Sequence, residues 1–145
     1  MQAKNGRRQM PAAKMFINRF SKEIIMARIR HIALLTKDTE KLARFYEASF
    51  GLKEVARSGE PTEHGKAIYL SDGHINLAIL PARNRREGIY HFGVEVEDVK
   101  GATQAALAAG ATGGTAELPK DGRFAETFVL DPAGTRVDLS LGWKV

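Results

Sequence analysis

The 145-residue sequence predicts an α+β fold: two tandem βαβββ modules whose strands join in one mixed sheet, with the helices on its outer face. Three observations carry the prediction. Ile29–Asp38 returns at Ile89–Asp98 with isoleucine, histidine and aspartate coinciding at an offset of 60 residues, the mark of an internal repeat. Each copy opens on a run with the alternation of a strand. Each run ends in an aspartate, followed by a helix-forming segment that stops at a glycine.

The first strands are expected at about residues 28–36 and 89–97. Asp38 and Asp98 stand where N-caps belong, because their carboxylates accept the free amide protons of the next turn. The helix after Asp38 is expected to carry Leu42, Phe45 and Ser49 on one stripe and to stop near Gly51; its alanine-rich counterpart stops near Gly110, since glycine suits a left-handed C-terminal cap. Short strands follow, turning at Ser71-Asp72-Gly73 and at Asp131-Pro132-Ala133-Gly134. Ile68-Tyr69-Leu70 matches Phe128-Val129-Leu130 at the same offset, and a turn two residues longer in the second copy sets Asn76-Leu77 against Asp138-Leu139. The organisation expected is a basic extension over 1–27 and a domain over 28–145, with modules at about 28–82 and 88–145. The connector from Pro81 to Gly88, with Arg83, Arg85 and Arg86, reads as a solvated loop.

Composition removes several classes of function. Hydrophobic residues make up 43% and charged residues 27%, a globular balance with no apolar run of membrane-spanning length. The expected location is the cytoplasm. There is no cysteine, so disulfides, thiolate metal sites and cysteine nucleophiles are excluded, and any metal must be held by nitrogen and oxygen. The net charge is +5, but Lys4, Arg7, Arg8, Lys14, Arg19 and Lys22 against Glu23 account for all of it. The rest is electrically balanced, which argues against a nucleic-acid face. The tail has three open readings. Met15, Phe16, Phe20 and Ile24 at helical spacing make a basic amphipathic helix, the one route to membrane contact. An Arg-containing, acid-poor start also resembles a transit peptide. The plain alternative is a loose extension, or a start at Met26.

Strand parity sorts the candidate site. In the second copy Tyr90, Phe92, Val94 and Val96 point to the core, while His91, Gly93 and Glu95 point the other way. In the first, Ile32 and Leu34 oppose His31 and Ala33. Ile75, Leu77 and Ile79 are core, leaving His74, Asn76 and Ala78 inside; Val137, Leu139 and Leu141 are core, leaving Arg136, Asp138 and Ser140. The inner face thus gathers His31, His74, Asn76, His91, Glu95, Arg136 and Asp138, and Gly93 leaves open volume beside an imidazole. For a lone strand histidine, a satisfied core residue is the default. Two at repeat-equivalent positions, with an acid nearby, favour a site. Asn76 stands between weak ligand and substrate hydrogen-bonder. His74 stands between exposure and replacement ligand. Glu95 reads as a general base or as the ion-pair partner of Arg136. His64 reads as ordinary, and Phe124, Phe128 and Trp143 as core or cup wall.

These residues, with Phe45-Tyr46, Gly51-Leu52, Tyr90–Asp98 and Asp131–Leu139, resemble the vicinal-oxygen-chelate superfamily of glyoxalases, bleomycin-resistance proteins and extradiol dioxygenases over about residues 28 to 143. The resemblance implies a cup-shaped sheet and a divalent metal held by four positions, here His31, Asn76, His91 and Asp138. Asn76 departs from the family pattern, offering only a neutral carbonyl. The inner shell expected is therefore His31, His91 and Asp138, a set that suits Fe, Mn, Ni or Zn. The function implied is a metal-dependent lyase, isomerase or dioxygenase acting on a small oxygen-rich substrate, with Asp138 or Glu95 moving protons, in a homodimer. The alternative is a metal-free small-molecule or antibiotic-binding protein of the bleomycin-resistance type.

Overall fold

A computed structural model describes residues 27–114 and 127–145. The tail, Met26, Phe124 and the strand expected between the second helix and its following hairpin lie outside the described residues. In chain order the elements are β1 (Arg28–Thr36), α1 (Thr39–Phe50), β2 (Lys53–Thr62), β3 (Gly65–Ser71), β4 (Asn76–Pro81), β5 (Gly88–Glu95), α2 (Val99–Ala108), β6 (Thr127–Leu130) and β7 (Arg136–Ser140). The strands form one mixed sheet in the order β2-β3-β4-β1-β5-β7-β6. β1 runs parallel to β4, β5 runs parallel to β7, and β1 and β5 join the two halves antiparallel. Both helices pack on one face of the sheet. Among the described residues no helix is long and apolar enough to cross a membrane.

Local chemistry places the helices. Asp38 is extended (φ −148°) and its carboxylate accepts from the Lys41 N–H; Asp98 does the same for Gly101. α1 ends on Gly51 in the left-handed conformation (φ 71°), whose N–H closes on the Glu47 carbonyl. Its buried stripe differs from the one the sequence suggested. Thr39 and Ala43 are buried, Leu42 and Tyr46 pack on the core, and Phe45 and Ser49 are exposed. The stripe runs through small Ala43, which brings the helix close to the sheet.

Each half has its own core. Leu34, Ala43, Ile68, Leu70 and Ile79 form one; Val99, Val129 and Leu139 form the other, with Val94, Val96 and Val137 packed against it. Leu141, expected in that core, lies beyond β7 and is 61% exposed. The ladder pair Ile32–Leu77 recurs 60 residues on as Phe92–Val137. The hairpin does not keep the offset. Its turn spans 72–75 in the first half and 131–135 in the second, one residue longer rather than two. β6 is thereby displaced, Thr127 and Val129 take the core-facing roles of Ile68 and Leu70, and Phe128 turns to the opposite side beside Asp138. The positional counterpart of Asn76 is Arg136, and that of Asp138 is Ala78.

Candidate metal centre

The two histidines meet where the modules meet. Across the central β1–β5 ladder His31 pairs with Gly93 and Ala33 with His91, so both imidazoles rise from one face on either side of a local two-fold axis. The residue before each histidine, Arg30 or Tyr90, is skipped by the ladder as a bulge. A bulge re-aims its own side chain and sharpens the local twist. Tyr90 therefore leaves the core-facing row that alternation assigned to it. Its ring stands edge-on to His91 at 4.7 Å, and its hydroxyl accepts from Arg136.

His31, Asn76, His91 and Asp138 are all at most 5% exposed. Asp138 Oδ2 lies 3.0 Å from His91 Nε2, and His91 Nε2 lies 3.1 Å from His31 Nε2. Arg136 donates from Nε to Asp138 Oδ1 at 2.7 Å, and from a terminal nitrogen to the Tyr90 hydroxyl at 3.2 Å. Burial works against the Arg136 charge, yet the Asp138 contact outweighs it and raises the guanidinium pKa. Burial is also the main cause that lowers His31 to about 4, partly opposed by its bond to Asn76. His31 is thus neutral at pH 7, the state an imidazole ligand needs.

Donor and acceptor chemistry fixes the protons. The Lys144 carbonyl can only accept, so the Asn76 amide nitrogen faces it, at 2.8 Å. Asn76 Oδ1 then faces His31 Nδ1, at 3.0 Å, and that nitrogen must carry the hydrogen. His31 Nε2 is left as a bare lone pair aimed at the cluster. His91 Nε2 has a lone pair and a carboxylate as neighbours, so it carries the proton in this arrangement. His91 Nδ1 is buried with no partner among the described residues. A metal on His91 Nε2 requires that proton to move to Nδ1.

The volume expected to stay open beside Gly93 is filled by Trp143. Its ring stacks on His31 at 4.9 Å and 4°. A Cβ on Gly93 would stand 2.6 Å from that ring. A glycine inside a strand often marks such a close approach, and this was the available signal for Trp143. On the other side a cavity of about 640 Å³ opens past His91, walled by Tyr90, Phe128, Leu130 and Arg136.

The donor set fits a divalent ion. His31, His91 and Asp138 offer ligand atoms all within 4.8 Å of one another. Bonds of about 2.1 Å place neighbouring octahedral donors about 3.0 Å apart, which is the spacing of His91 from each of the others. Asn76 is not aimed there, its carbonyl being engaged on the far nitrogen of His31. Glu95 also stands apart: its ion-pair partner is Arg30, at 3.7 Å, rather than Arg136. His74 is exposed, and its carbonyl accepts from Arg30. His64 accepts from the Arg83 N–H. Arg83, Arg85 and Arg86 are exposed, with Arg85 lying 4.5 Å over the Tyr90 ring.

Residues 28–139 match the family model of the Glyoxalase/Bleomycin resistance protein/Dioxygenase superfamily. The chain belongs to this superfamily. Solved structures agree on the fold. A hypothetical protein from Bacillus halodurans C-125 is 19% identical with a TM-score of 0.65, over 79% of this chain and 93% of that one. A methylmalonyl-CoA epimerase bound to methylmalonyl-CoA and NH4+ is 20% identical (TM-score 0.63; 78% and 92% covered). The Streptomyces coelicolor methylmalonyl-CoA epimerase S115T variant, bound to 2-nitronate-propionyl-CoA, is 21% identical (TM-score 0.62; 81% and 97% covered). No curated protein sequence gives a significant match. Members of the superfamily bind divalent metals, and the buried His31–His91–Asp138 group is this chain's candidate for such a site.

Proposed function

We propose that this protein is a divalent-metal-dependent enzyme acting on a small oxygen-rich substrate. The observation that carries the reading is the convergence of His31 Nε2, His91 Nε2 and Asp138 Oδ2 at spacings of 3.1 and 3.0 Å. These three residues would hold the ion, with Fe, Mn, Ni or Zn suited to two imidazoles and a carboxylate. The ion, when bound, supplies a Lewis acid for polarising substrate oxygens.

The chain's own groups set the rest. Arg136 aims Asp138 by donating from Nε to Oδ1 at 2.7 Å and, more weakly, from a terminal nitrogen to Oδ2 at 3.5 Å. The Arg136 side chain is 30% exposed beside the cavity, and two of its five N–H groups are left over after Asp138 and Tyr90. A substrate carrying an anionic oxygen next to its chelating pair suits that corner. The Tyr90 hydroxyl lines the cavity, Asp138 stands behind its lining residues His91 and Arg136, and Glu95 pairs with Arg30 away from that lining. A lyase, isomerase or dioxygenase reaction is the type of chemistry this reading implies. Methylmalonyl-CoA, the ligand of one structural neighbour, belongs in the substrate screen. We propose a homodimer, as Ile29, Ile89 and Leu141 are 56%, 81% and 61% exposed.

One observation favours a metal-free binding protein instead. The cluster closes on itself through hydrogen bonds, and Trp143 covers one face of His31. Metal analysis after incubation with Fe, Mn, Ni and Zn separates the two readings. About one equivalent, lost in His91→Ala, supports the enzyme. Less than about a tenth of an equivalent with every metal supports the binder.

A further inference from the structure

The inner shell contains one asymmetry that the internal repeat does not require. His31 and His91 are equivalents, yet among the described residues only His31 has its second nitrogen held by a side chain, and that side chain is itself held by main chain. Asn76 is fully buried. An asparagine between two partners has two orientations, and ordinarily either can be satisfied by rotating the amide. Here one partner is a peptide carbonyl, which removes the freedom: Nδ2 must face Lys144, and Oδ1 must face His31. The alternative tautomer of His31, with the hydrogen on Nε2, would set a bare Nδ1 against a carbonyl oxygen 3.0 Å away. That repulsive contact has no solvent to relieve it. Trp143, one residue before the fixing carbonyl, stacks on the same imidazole, so ring plane and proton position are set by neighbouring residues of one segment.

We infer that Asn76, oriented by the Lys144 carbonyl, is a positioning residue that holds His31 as the Nδ1–H tautomer and keeps its Nε2 free for an ion. Its bearing on ion binding rests on the metal-enzyme reading; the tautomer itself does not. His91, whose Nδ1 has no described partner, has no such device. The histidine on β1 is ready to bind, and the one on β5 must shift its proton.

The test uses metal-free, 15N-labelled full chain at pH 7.5, with long-range 1H–15N correlations that report imidazole tautomers. Wild type is expected to show His31 protonated at Nδ1. Asn76→Leu is expected to move His31 toward a mixture of tautomers and to weaken Mn or Zn binding about 10- to 100-fold, the usual size of a lost orienting bond. Asn76→Asp separates positioning from scaffolding. Its carboxylate still accepts from Nδ1–H but cannot donate to Lys144, so the Nδ1–H signature is expected to persist. A purely structural asparagine would give two equally disrupted variants. Wild-type His31 protonated at Nε2, or Asn76→Leu with unchanged tautomer and unchanged metal affinity, overturns the inference. The wild-type spectrum decides the matter even if Asn76→Leu does not fold. Nδ1–H at His31 together with no metal uptake sinks the metal-enzyme reading and leaves this inference standing.

Discussion

Gly93 and Trp143 are one packing decision made from two distant parts of the chain. The indole lies flat on His31 and covers the spot where any other residue at 93 would place its Cβ, 2.6 to 2.7 Å from indole carbons and 3.0 Å from the His31 Cβ. The first two contacts are too short for carbon atoms, and the indole is a rigid plate that cannot fold away. Gly93→Ala is therefore expected to destabilise by about 1–3 kcal/mol, the usual cost of inserting a methyl group into a packed site. Trp143 is the only tryptophan, so its emission reports the displacement directly. A urea midpoint and emission maximum equal to wild type would mean the ring does not occupy this place. The same pair corrects an expectation: Gly93 beside a histidine on one strand face predicts open volume, and the space is taken by an aromatic ring 50 residues downstream.

Elements built from local signals were legible; those decided across strands were not. Both N-caps needed only one aspartate each, and each cap bond is 3.0 Å long. Asp98→Ala is expected to cost about 1 kcal/mol through the loss of that bond, read as a lower thermal midpoint with an unchanged fold by circular dichroism; an unaltered midpoint would show the cap to be idle. The first strand of each repeat and the convergence of His31 with His91 follow from periodicity. Tyr90 does not, because a bulge is set by the partner strand and breaks the alternation that face assignment relies on. The match of Phe128 to Ile68 fails for a related reason, although Phe128 does stand in the cup wall. A turn one residue longer changes which row faces the core, and turn length cannot be fixed from two thinly similar copies. Asn76 stands in the sequence between weak ligand and substrate hydrogen-bonder, while its partners in the structure are His31 and the Lys144 carbonyl, whose approach no periodicity encodes.

For the molecule as a whole, two bulk properties follow. Apolar side chains at the repeat-equivalent positions Ile29 and Ile89, 56% and 81% exposed, favour association into a pair, so light scattering at micromolar concentration is expected to give twice the 15.9 kDa chain mass; the single-chain mass would reject the dimer. The second property is acid sensitivity in the absence of metal. Burial holds folded His31 near 4, whereas an unfolded histidine titrates near 6.5. Between those values the unfolded chain binds the extra proton and the folded chain does not. Stability on this account is fully present above pH 6.5 and is lost as the pH falls from 6.5 toward 4. The full span is worth on the order of 3 kcal/mol. Other groups titrate in the same window, so the quantity to compare is the wild-type urea midpoint minus that of His31→Gln at pH 7.5, 6.5, 5.5 and 4.5. The difference should shrink steadily on acidification. A difference that stays constant would mean that His31 is protonated as readily in the folded protein as in the unfolded one, which a neutral imidazole sealed beneath Trp143 does not allow.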